Sequence, residues 1–198
     1  MLVMRLLRGL HNPVVESTGC VATIGNFDGV HLGHQRIIEQ VTVKGKALSL
    51  PSVVIIFEPQ PLELFKGHDA PARLLSFREK FHALSVYQVD YVFCLKFDAS
   101  LSRLTARSFV EQVLVDHLNV KHLVVGDDFR FGGDRLGDFP LLVRAGSEMG
   151  FSVEKTPTRK DQLEHFGELI SSTRIRACLS AGDFDLASKL LGRVYGIS

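Results

Sequence analysis

The sequence predicts an α/β protein: a doubly wound, mostly parallel sheet with two helices closing the C-terminal end. Three observations predict it. Short apolar runs rich in β-branched residues recur up to about residue 156. Stretches of helical spacing separate them, and each run ends at glycine, proline or acidic residues, where a strand hands over to a loop.

In chain order, residues 2–7 suit a short edge strand closed by a turn at His11-Asn12-Pro13. Val21-Ala22-Thr23-Ile24 is a buried strand that breaks at Gly25 and Gly29, and helical spacing resumes over about 33–48 with Ile37, Ile38 and Val41 on one side. Ser52 to Phe57 is continuously apolar, the mark of a strand covered on both faces, and Glu58-Pro59-Gln60-Pro61 stops it. Strand, helix, strand in this rhythm makes a right-handed βαβ unit. Residues 62–75 lack periodicity and carry Gly67 and Pro71, which reads as a loop with room for a helical turn. Phe77, Phe81 and Leu84 then fall at helical spacing, with Ser76 as cap and Glu79 completing a capping box. Asp90 to Phe97 is the third buried strand, and a helix over about 105–118 directs Phe109, Val113, Leu114 and Leu118 inward. Lys121 to Gly126 is the fourth, 138–149 a helix, and Phe151 to Lys155 the fifth. The polar stretch 157–168 is expected to be a mobile loop, and helices over about 172–180 and 183–191 finish the chain, the second capped by Asp183.

The chain of 198 residues is long enough for one full α/β domain with a sizeable core. Its net charge of +1 excludes a general electrostatic grip on nucleic acid or membrane, so any phosphate binding must be local. Cys20, Cys94 and Cys178 are odd in number and widely spaced. They form neither a disulfide framework nor a metal cluster, and buried free thiols point to a reducing compartment, the cytoplasm. No apolar run approaches the length of a membrane span.

Chemistry concentrates in the stretch Gly25-Asn26-Phe27-Asp28-Gly29-Val30-His31-Leu32-Gly33-His34. A glycine-containing loop between strand and helix lets the backbone approach a ligand, and the free N–H groups of the helix start favour an anion. His31 and His34 are three apart, neighbours on one helical face with Gly33 leaving space between them. They add side-chain donors to a phosphate site. The loop is neither Walker A nor a dinucleotide turn.

Three further loops follow the strands, where ligands of parallel sheets bind, or precede a late helix. Phe57 to Pro61 either terminates a strand or holds Phe57 or Gln60 against a ring. Asp127-Asp128-Phe129-Arg130-Phe131 is either a turn whose phenylalanines fold back into the core or a platform for a flat heterocycle. Ser171-Ser172-Thr173 are either helix caps or part of a second phosphate cradle with Arg176, which shares a helical face with Ser172 and Thr173, whereas Arg174 points elsewhere. His11, His68, His82, His117, His122 and His165 read as surface or satisfied histidines.

These four segments, in this order, resemble the FMN adenylyltransferase (FAD synthetase) module of bacterial bifunctional riboflavin kinase/FMN adenylyltransferases, a Rossmann-like nucleotidyltransferase fold. The resemblance implies AMP transfer from ATP to FMN, giving FAD and pyrophosphate. It implies an ATP site at Gly25, Asn26, Phe27, His31, Gly33, His34, Ser171, Ser172, Thr173 and Arg176. His31, His34 and Arg176 would then neutralise charge in catalysis, with Mg²⁺ bridging phosphates. It implies an FMN site at Phe57, Pro59, Gln60, Asp127, Asp128, Phe129 and Phe131, with Gln60 standing where many members have histidine. Flavoenzymes are the expected recipients of FAD. The family's longer members continue into a riboflavin kinase barrel that residues 1–198 lack, so no riboflavin phosphorylation is expected. A nucleotidyltransferase for another acceptor, and a non-catalytic flavin- or nucleotide-binding module, are the rival readings.

Overall fold

The computed structural model describes residues 4–10, 18–133, 135–157 and 168–196. The expected turn at His11-Asn12-Pro13 and nearly all of the 157–168 loop lie outside them. The chain runs β1 (Arg5–Arg8), β2 (Cys20–Ile24), α1 (Leu32–Leu48), β3 (Ser52–Glu58), α2 (Pro61–Lys66), α3 (Phe77–Ser85) and β4 (Tyr91–Lys96). It continues through α4 (Ala106–Phe109), which widens into a π-helical stretch over Val110–His117, then β5 (Val120–Gly126), α5 (Phe139–Met149), β6 (Ser152–Thr156), α6 (Ser172–Ser180) and α7 (Phe184–Leu191).

All six strands are parallel, in the order β1-β4-β3-β2-β5-β6. Residues alternate between the two faces. Ala22, Ile24, Val53, Ile55, Leu123 and Val125 meet Phe109, Val113 and Leu142 on one side. Val54, Ile56, Val92 and Cys94 meet Ile38 of α1 and Leu84 of α3 on the other. Both layers are almost wholly apolar, which is why the strands read as continuous hydrophobic runs. β1 is an edge strand, as expected, in register with β4 from Arg5 opposite Tyr91.

One helix departs from the expectation of a loop at 62–75. α2 covers Pro61–Lys66 and runs into a 3₁₀ turn at Gly67–Asp69. Pro61 stands where a helix start needs no N–H, and the Gln60 N–H donates to Glu63 Oε2 at 2.8 Å. None of its residues is buried, so no apolar periodicity marks it in the sequence.

The chain leaves β2 for β3 and β4 on one side, then returns to β5 on the other. The crevice beyond the carboxyl ends of β2, β3 and β5 is therefore the switch point where open parallel sheets bind ligands.

Candidate active site

The loop from Gly25 to His31 lies at that crevice. Gly25 N–H still donates to the Ile55 carbonyl at 3.1 Å, extending the ladder, and then Phe27 (φ 47°), Gly29 (φ 83°) and Val30 (φ 40°) all adopt left-handed backbone. For a β-branched residue such as Val30 this costs of order 1–3 kcal/mol and persists only where the surroundings over-determine it. They do. The Asp28 carboxylate, 3% exposed, accepts the N–H groups of Leu74 (3.1 Å) and Leu75 (3.3 Å). Arg193 donates to the carbonyls of Gly29 (2.7 Å) and Val30 (3.3 Å), and Gln35 Nε2 donates to Val30 (2.9 Å) and Leu191 (2.8 Å).

His31 is the N-cap of α1: its Nδ1 accepts the His34 N–H at 3.3 Å. Nδ1 is thus the bare nitrogen, and Nε2 carries the hydrogen of the neutral ring. The two imidazoles stack at 3.6 Å with 18° between planes, and the buried Phe27 ring supports His34 at 5.1 Å. Burial pushes His31 down to about 4, with its own backbone hydrogen bond opposing and the Arg193 charge assisting. Burial, then His31, then Lys80 hold His34 well below the ordinary histidine value. Burial thus disfavours the charged form of both imidazoles, and the neutral rings still carry N–H donors. Phe27 lies in the core at 1% exposure, so any contact it makes with a nucleotide runs through its backbone.

A β-carbon on Gly33 would stand 3.1 Å from His31 Cε1 and 3.2 Å from Nδ1. Gly33→Ala is therefore expected to raise helix propensity by up to about 1 kcal/mol while displacing the stacked ring. Unfolding curves should show stability unchanged or higher, and turnover assays a fall of about tenfold; equal losses in both would contradict this.

The N-terminus of α6 arrives at the same loop. Ser172 Oγ donates to the Asp28 carbonyl at 2.8 Å across 144 positions of sequence, and Arg176 pairs with the Asp28 carboxylate while its Nε donates to the Ala72 carbonyl at 2.6 Å. Ser171 caps α6 by accepting the Arg174 N–H at 3.2 Å. Thr173 is exposed on the same first turn, and Arg174 turns aside to Glu168 at 3.1 Å, as expected. The imidazole pair and the hydroxyl–guanidinium cluster thus share one place.

The segments expected to hold a flavin lie across the crevice on the α4 side. Phe57 meets Phe97 edge-on at 5.5 Å and Phe109 at 6.4 Å; Phe109 meets Phe131 at 5.8 Å, which stacks on Phe129 at 5.4 Å. A continuous chain of rings joins the end of β3 to the end of β5. Phe129 and Phe131 are half-buried and pack partly against the core, as the reading of a turn whose phenylalanines fold back expects, and part of each ring stays accessible. Asp127, Asp128 and Pro59 are exposed, whereas Gln60 is 8% exposed with its Nε2 lacking a hydrogen-bond partner. Beneath the crevice, Arg73 bridges Glu58 (2.8 Å) and Glu63 (2.5 Å), and Lys80 approaches Glu58 at 3.5 Å.

Sequence reasoning missed the working partners of these residues. Asp28 sits inside the quoted motif, but its partners are backbone groups at 74 and 75 and a guanidinium at 176. Arg193 acts on two carbonyls and leaves no side-chain signature. Of the remaining histidines, His122 is satisfied by Ser152 (2.7 Å) and Glu154 (3.2 Å), and His68 and His82 are exposed. His117 departs from expectation: it stacks on Phe93 at 5.2 Å with Nε2 buried and unpartnered. His11 and His165 lie outside the described residues.

Comparison with known proteins accords with this geometry. The sequence model of the family described as FAD synthetase matches residues 14–174. The bifunctional riboflavin kinase/FMN adenylyltransferase of Pseudomonas fluorescens is 51% identical over 98% of this chain, and that of Escherichia coli K12 48% identical over 98%. The chain spans 61% of the length of each. A crystal structure described as a macrolide-efflux protein from Streptococcus pneumoniae superposes with a TM-score of 0.84 at 27% identity, covering 98% of this chain and 62% of that one. No described helix is long and apolar enough to cross a membrane. A family match over most of the length, and half-identical relatives aligned across nearly all of it, place the chain in the FAD synthetase family.

Proposed function

We propose that residues 1–198 form an FMN adenylyltransferase domain, which transfers AMP from ATP to FMN and yields FAD and pyrophosphate, a reaction open in both directions. The observation that carries this is the meeting of the α6 N-terminus with the β2–α1 loop through Ser172, Arg176 and Asp28. A phosphate oxygen of FMN, already ionised at neutral pH, attacks the α-phosphorus of ATP as the bond to pyrophosphate breaks, so no general base is needed. Two anions must be brought into line, and the work is positioning and charge stabilisation.

The parts suit that work. His31 Nε2–H and the free N–H groups at the start of α1 donate to phosphate oxygens from one side, with His34 beside them. Thr173, the N–H groups of α6 and Arg176 approach from the other. Arg176 is the guanidinium that α6 turns toward this loop, and it is held in place by Asp28 and the Ala72 carbonyl. Across the crevice, Phe57, Phe129 and Phe131 offer ring faces for an isoalloxazine, with Gln60, Asp127 and Asp128 available to its polar edge.

Among the described residues no three histidine, cysteine or carboxylate side chains converge as a metal site, and Asp28 is already committed to Arg176 and two N–H groups. Mg²⁺ would therefore enter with the nucleotide rather than on a protein cage, and when bound would supply further charge neutralisation. Three free buried cysteines suit a reducing cytoplasm, and flavoenzymes are the proposed recipients of the product. The test is direct: the purified chain with ATP, FMN and Mg²⁺ is expected to form FAD, resolved from FMN by chromatography. No FAD under those conditions overturns the assignment.

A further inference from the structure

Among the described residues Lys80 is the one lysine or arginine wholly removed from solvent, at 0% exposure, and the transfer reaction as derived does not use it. Its Nζ has no hydrogen-bond partner and stands 3.5 Å from Glu58 Oε1. His34 carries a second sealed polar atom without a partner, Nδ1. An unsatisfied buried polar atom costs about 1–3 kcal/mol, and with Glu58 Oε1 and Gln60 Nε2 also lacking partners, this group of sealed polar atoms requires an account.

Their placement supplies it. Lys80 lies one turn before Leu84 on α3, and His34 one turn before Ile38 on α1. Leu84 and Ile38, both 0% exposed, belong to the same apolar cluster against β3 and β4. Helical side chains lean toward their own N-terminus, which brings Lys80 and His34 to the same end of that cluster, under the β2–α1 loop. The field of Lys80 reaches His34 and opposes its protonation.

We propose that Lys80 is a positioning residue: by donating to His34 Nδ1 through one water, it fixes the His34 ring as the Nε2–H tautomer and aims that hydrogen at the phosphates. The proposal rests on the reading of His34 as a phosphate donor. Glu58 on β3, Asp28 in the β2–α1 loop and Arg73 are the other charges that act on Lys80, and His31 is the other titratable group that acts on His34.

Ring-nitrogen NMR of the full chain, labelled with ¹⁵N, tests it. The wild type is expected to show His34 with a bare Nδ1 and a protonated Nε2. In Lys80→Met the midpoint of His34 titration should rise by about one pH unit or more as the like charge is lost, and the second tautomer should appear. FAD formation should slow about tenfold, with the KM for ATP changed less than about threefold, and Lys80→Arg should restore most of the rate. If Lys80→Met fails to fold, the Lys80→Met/Glu58→Gln pair removes both charges and is read in the same way. A folded variant whose His34 tautomer and midpoint match the wild type overturns the proposal. Should the wild type form no FAD, the assignment of function falls, and the ring measurement still decides the tautomer.

Discussion

Replacing Arg176 by alanine is expected to slow FAD formation by about a hundredfold or more while leaving the FMN dissociation constant within about threefold of the wild type. Of the two arginines on the first turns of α6, Arg176 faces the β2–α1 loop while Arg174 turns to Glu168, and the flavin-side rings lie across the crevice from Arg176. On the proposed function, its loss removes charge where pyrophosphate would depart, not where isoalloxazine would bind. The same change has a structural cost. Asp28, 3% exposed, keeps the N–H groups of Leu74 and Leu75 but loses its counter-charge, which for a buried pair with one partly exposed member amounts to about 2–3 kcal/mol. The two effects separate in the double variant Arg176→Ala/Asp28→Asn, which removes the stranded charge. Urea unfolding should recover much of the lost stability, and turnover should stay low. A change confined to the FMN dissociation constant, or a double variant that regains turnover, would contradict the role given to Arg176.

What the sequence reveals and conceals about this site follows from how each residue finds its partners. Val53 to Ile56 and Leu123 to Val125 are apolar on both faces because helices cover both sides of the sheet, so strand positions are visible directly. The motif from Gly25 to His34 is legible for the same local reason: strand, turn glycine, cap and helix are consecutive. α2 is not, since it buries nothing and begins at a proline that also serves as a strand terminator. The π-helical widening at Val110–His117 keeps Val113 and Leu114 inward, so its apolar pattern resembles that of an ordinary helix. Least legible is the support beneath the site. Arg193 holds backbone carbonyls 163 and 164 positions away, and Lys80 sits on a helix whose spacing marks Phe77, Phe81 and Leu84 as its inner face. A lysine between those positions reads as solvated until the β2–α1 loop is laid over it.

His31→Asn is expected to flatten the acid limb of the stability curve, because the native fold holds His31 neutral. Its value falls from 6.5 to about 4 through burial, so between those two pH values the unfolded chain binds a proton that the native chain refuses. Stability is then full above about pH 6.5, declines as the pH drops toward 4, and levels off below it. A depression of that size corresponds to about 3 kcal/mol over the window. Asparagine is a good N-cap and can still accept the His34 N–H, so the start of α1 is retained while the titration disappears. Measured by urea unfolding, the variant should lie within about 1 kcal/mol of the wild type at pH 7.5 and overtake it near pH 4.5. The carboxylates contribute their own acid loss to both proteins and cancel in the difference. Turnover should fall at every pH, since asparagine cannot place an N–H where the imidazole Nε2 carries one. A variant whose stability runs parallel to the wild type from pH 7.5 to 4.5 would mean that His31 is not held neutral, and would return to the imidazole pair the positive charge that its burial denies it.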